Sequence, residues 1–96
     1  MVTKIGTFDT AKFLDSEEAI AAYINVAIEE GETDALMIAL GNVIRAKGIA
    51  TVAEKAGLGR ESLYKALAPG AKPRYDTVVK LTRALGLELN VTAHAY

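Results

Sequence analysis

Cysteine is absent from the 96 residues, so neither a disulfide framework nor a thiolate metal site is available. His94 is the single histidine, which also removes the usual zinc-binding and Ser-His nucleophilic constellations. No stretch reaches the roughly eighteen consecutive apolar residues of a membrane span, and the N-terminus lacks the apolar core of a signal peptide. The expectations are a cytoplasmic protein, not an enzyme, with no cofactor, no metal and no membrane partner. What remains is 51% hydrophobic and 24% charged, the composition of a globular chain. Its length suits one domain, with a core small enough to gain from dimerisation.

Charge is unevenly spread. Residues 1–48 carry four bases and eight acids, net −4, whereas residues 49–96 carry seven bases and four acids, net +3. Such a split suggests a nucleic-acid face and a separate acidic surface, although a solvated mixed surface has the same sign pattern.

The basic half contains the most structured pattern. In Ile49–Ala68, Ile49, Val52, Ala53 and Ala56 recur with helical spacing, and Leu63, Ala66 and Leu67 form a second stripe. Gly57-Leu58-Gly59 separates them. Ala53 is small enough for a close helix crossing, Gly57 suits a left-handed turn, and Leu58 is placed to plug the gap between the helices. This small–glycine–apolar spacing is that of a helix-turn-helix, and it also fits an ordinary αα corner. On the first reading the second helix enters the major groove with Gly59, Arg60, Glu61, Ser62, Tyr64, Lys65 and Ala68 facing outward. Arg60 is suited to a bidentate contact with guanine and Glu61 to accepting from cytosine. Ser62, Tyr64 and Lys65 suit phosphate or base contacts, and Lys72 and Arg74 suit backbone phosphates.

Around this stretch, residues 1–15, with Phe8, Phe13 and Leu14, are expected to form an arm on the core or against a partner. Residues 16–48 read as two helices. Asp15 or Ser16 is expected to cap the first, whose buried stripe is Ile20, Tyr23, Ile24, Ala27 and Ile28, and Gly31 ends it. Thr33 is expected to cap the second, which is apolar on most sides and so expected to be central and buried, with Met37 as core filler. A Pro/Gly loop follows the helix-turn-helix. A last helix over 76–86, capped by Asp76, buries Val78, Val79, Leu81, Ala84 and Leu85. Residues 87–93 alternate with period two and read as a strand. A lone strand leaves its backbone unpaired, so it requires a twin across a dimer axis or the edge of another protein's sheet. The expected fold is a mainly α single domain of five helices with a C-terminal strand, working as a homodimer.

Other chemistry fits poorly. Gly57-x-Gly59 has no third glycine at Ser62 and no preceding strand, and Gly70-Ala71-Lys72 is followed by Pro73 where a phosphate loop needs Ser or Thr. The pairs Glu17/Glu18 and Glu29/Glu30 lie at helix ends, where surface acids are common.

Several motifs in order resemble a known family: Phe8-Asp9-x-Ala11-x-x-Leu14, Ala22-Tyr23-Ile24, Arg45-Ala46-Lys47-Gly48, and the run from Gly57 to Leu67. They are followed by Pro73-x-x-Asp76-Thr77-Val78 and Ala84-Leu85-Gly86-Leu87. Together they are similar to the HigA-like addiction-module antidotes, over about residues 8–92. The resemblance implies a Cro/repressor-type helix-turn-helix and a dimer that binds the operator DNA of its own operon. It also implies neutralisation of a RelE/ParE-like toxin. Gly59 departs from the serine the family often has there, removing a cap and a phosphate contact. Lys72 and Arg74 depart by adding positive charge. A stand-alone phage-type regulator without a toxin, and a helical protein-interaction module, are the rival readings.

Overall fold

The computed structural model describes residues 16–93, which form five α-helices: α1 Glu17–Glu29, α2 Thr33–Lys47, α3 Ile49–Ala56, α4 Arg60–Ala66 and α5 Tyr75–Ala84. The expected arm over 1–15, the alternative cap Asp15, and His94 lie outside the described residues.

Helix α1 starts at Ser16, whose Oγ accepts from the Ala19 N–H at 3.0 Å, with Glu17 and Glu18 in the first turn. The hydroxyl satisfies one of the amides that a helix start leaves without a partner. Ile20, Ile24 and Ala27 are buried, and Tyr23 is half-buried. Ile28, expected in the buried stripe, is 44% exposed. The α1 stripe is narrower than its sequence suggested.

Helix α2 packs against α1 and α3 and buries Ala39, Leu40, Gly41, Val43 and Ile44. Two expectations for it are corrected. Thr33 is its first helical residue and Glu32 the extended cap, which makes no side-chain hydrogen bond. Nor is α2 buried all round: Met37 packs partly buried against the core, as filler, but Ile38 is 64% exposed.

The chain then turns through 106° between α2 and α3 at a single residue, Gly48. Its φ of 108° and ψ of 121° lie where an L-residue is strained, so glycine is required for so short a corner. Gly48 N–H closes the last turn of α2 on Ile44 O, while Gly48 O opens α3 by accepting from Val52 N–H.

Helix α3 contacts α2, α4 and α5. Its Val52, Ala53 and Ala56 join Ile20, Leu40, Ile44, Leu63 and Leu81 in one core. In α5, Leu81 and Leu85 are buried, while Val78 and Ala84 pack partly buried against the core. Thr82, the buried polar residue of α5, donates from Oγ1 to Val79 O at 2.9 Å and so is satisfied. Arg74 occupies the cap position of α5, so Asp76 is its second residue and not the cap.

After Gly86, Leu87 N–H donates to Thr82 O at 3.0 Å, the one backbone tie of this segment among the described residues. Among the described residues no strand is present, and 87–93 is irregular, with Val91 fully exposed. Alternation gives a segment two faces. Only a paired backbone makes it a strand.

Candidate nucleic-acid interface

Helices α3 and α4 are joined by the three residues 57–59. Gly57 adopts φ 72°, ψ 29°, the left-handed conformation anticipated for it, and its N–H donates to Glu54 O at 3.2 Å. The next amide, Leu58 N–H, returns to Ala53 O at 2.9 Å. These bonds satisfy carbonyls at the end of α3 while the chain reverses. Ala53 is 3% exposed at the crossing, and Leu58 packs partly buried against the core, the plugging role its position suggested.

Gly59 is extended (φ −73°, ψ 155°) and caps α4 through its carbonyl alone, accepting from Leu63 N–H at 3.1 Å. Leu63, Ala66 and Leu67 face inward, which anchors α4. Arg60, Glu61, Ser62, Tyr64, Lys65 and Ala68 are all exposed. At about 100° per residue, Glu61 and Lys65 sit at the middle of the outer face, with Ser62 on one flank and Arg60 and Tyr64 on the other.

The flank of Ser62 faces a groove of about 460 Å³ between α4 and the start of α5. Ser62, Lys65 and Lys72 line it together with Leu58, Pro73 and Thr77. Three of the residues chosen from sequence therefore converge, whereas Arg60, Glu61 and Tyr64 point away from this groove. Sequence reasoning missed Thr77, whose signal was its place in the first turn of the helix after the loop. Tyr75, at the start of α5, is 74% exposed but does not line this groove.

The two loop cations are not bare. Lys72 Nζ lies 3.9 Å from Asp34 Oδ1, and Arg74 Nε lies 3.5 Å from Asp76 Oδ1. All four side chains are largely in solvent, so each pair is weak and exchangeable. Lys47, Lys55 and Arg83 form a separate group, lining a cavity of about 390 Å³ with Glu17. Among the described residues no cluster of acids or histidines could hold a metal ion.

This is a small helical protein that presents a short, exposed, polar and cationic helix beside a basic loop. Residues 4–93 match the family described as "probable addiction module antidote protein". An uncharacterized protein of Haemophilus influenzae is 38% identical over 91 residues, which cover 95% of this chain and 94% of that one. No solved structure matches. The chain belongs to the addiction-module antidote family, which supports an antidote role over that of an enzyme.

Proposed function

We propose that the protein is the antitoxin of a type II toxin–antitoxin module, HigA-like, acting in the cytoplasm. It binds and neutralises a RelE/ParE-like toxin and represses its own operon by binding operator DNA as a homodimer. The carrying observation is the pair α3–α4, which this reading takes as a Cro/repressor-type helix-turn-helix. A glycine turn and an apolar inner stripe hold α4 in place, while its outer face offers Arg60, Glu61, Ser62, Tyr64 and Lys65.

In this reading α4 lies in the major groove. Arg60 pairs with guanine, Glu61 accepts from cytosine, and Ser62, Tyr64 and Lys65 divide base and phosphate contacts. The groove of Ser62, Lys65 and Lys72 suits a phosphate backbone running past α4, with Arg74 further along. DNA binding displaces Asp34 and Asp76 from these cations at little cost, because the exposed pairs are weak. Residues 87–93, with exposed Leu89 and Val91, serve dimerisation by pairing as strands across a two-fold axis. That places two copies of α4 on half-sites about one helical turn apart.

The rival reading is a stand-alone phage-type regulator, and family membership favours the antitoxin. Expression of the neighbouring gene in cells, with and without this chain, tests the choice. Growth arrest relieved by this chain, together with co-purification, supports the antitoxin. A neighbour that is neither bound nor relieved leaves the regulator.

A further inference from the structure

We infer that the groove between α1 and α2 is the surface on which the toxin docks, through an apolar ridge flanked by lysine or arginine side chains. The inference rests on the antitoxin reading and adds where, and with what chemistry, the toxin is held.

The groove measures about 480 Å³ and is lined by Tyr23, Val26, Ala35 and Ile38, with Glu30 at one end. Val26 is 57% and Ile38 64% exposed, although both helices bury isoleucines or leucines completely elsewhere. The Asn42 side-chain amide donates to the Tyr23 hydroxyl at 2.9 Å, which holds that wall of the groove in position. A fixed apolar cleft is already arranged for an occupant and loses little freedom on binding.

Charge decides between occupants. From Ser16 to Ile44 the chain has six carboxylates and no lysine or arginine. Glu29, Glu30 and Glu32 are all exposed around the α1–α2 turn, at the Glu30 end of the groove, while Asp34 beside them faces Lys72. A second copy laid groove to groove would add six more carboxylates and bring no lysine or arginine from the same segment to offset them. Residues 1–15 carry two bases and two acids, so they bring no net charge to complement the rim. A cationic partner with an apolar ridge satisfies both the cleft and its rim. The surface uses α1 and α2, leaving α4 available for DNA.

The test uses the full-length chain and the purified toxin encoded beside it. Val26→Lys/Ile38→Lys is expected to weaken toxin binding roughly a hundredfold, as the loss of central apolar anchors does, with operator binding and helix content unchanged. Glu29→Gln/Glu30→Gln is expected to slow association and flatten its salt dependence. If the double lysine variant does not fold, Ile38→Lys alone provides the same readout. Unchanged toxin affinity overturns the docking surface. A lowered Tm alongside it assigns the groove to residues 1–15, and a shift from dimer to monomer assigns it to a second copy. A wild-type chain that does not bind the toxin at all overturns the antitoxin reading, and the docking surface with it.

Discussion

The Asn42 side-chain amide donates to the Tyr23 hydroxyl at 2.9 Å, joining α2 to α1 across nineteen positions of sequence. Both residues are half-buried. Tyr23→Phe removes the acceptor and leaves the amide without its protein partner. The expected cost is about 1 kcal/mol, read as a Tm lower by roughly 4–8 °C for a domain of this size. Operator binding is expected to be unchanged, because α3 and α4 do not take part in this bond.

The two corner glycines are expected to differ under substitution. A Cβ at Gly57 meets nothing within 4 Å, so Gly57→Ala carries only the left-handed backbone cost, about 1–2 kcal/mol. Gly57→Asn is expected to cost less, since asparagine tolerates that region. Gly48, at φ 108° and ψ 121°, lies outside it, so Gly48→Asn and Gly48→Ala are both expected to be more destabilising. Chemical denaturation of the four variants checks this order.

At the start of α4, Gly59 already has the extended backbone of a capping residue, and a Cβ there meets nothing within 4 Å. Gly59→Ser adds an acceptor for an amide of the first turn. A gain of a few tenths of a kcal/mol is expected, visible as a small rise in Tm. A loss of stability would show that the turn does not tolerate the hydroxyl.

DNA affinity should divide the cations by role. Arg60→Ala is expected to relax preference at one base pair per half-site, at a cost of about 1–3 kcal/mol. Lys72→Ala is expected to weaken all sequences alike and reduce the salt slope by about one per protomer. Asp34→Asn frees Lys72 from its carboxylate and is expected to strengthen binding slightly at low salt. Titrations of one DNA fragment at several salt concentrations separate the three.

Much of the fold was legible because burial leaves a period. The spacing of Val52, Ala53, Ala56, Leu63, Ala66 and Leu67 described α3 and α4 and their inner faces. It also described the outer face of α4, since a buried stripe fixes what remains exposed. Exact caps were less legible. Thr33 and Asp76 are good capping residues, yet each helix begins where the backbone leaves the extended region, at Glu32 and Arg74. Ile28 and Ile38 were expected inside because apolarity marks surface that avoids water without saying which surface covers it. The convergence of Ser62, Lys65 and Lys72, and the pairing of Lys72 with Asp34, depended on how the loop packs, which no local period records. The alternation of 87–93 is real, but pairing is a property of two segments.

The central claim is that α4 reads operator DNA, and the most direct measurement is a titration of DNA from upstream of the chain's own gene. Wild type and Arg60→Ala/Lys65→Ala are compared at two salt concentrations, with unrelated DNA as reference. The expected result is tight, salt-dependent and sequence-selective binding by wild type, with the selectivity lost in the double variant. Equal and selective binding by both proteins would contradict the account.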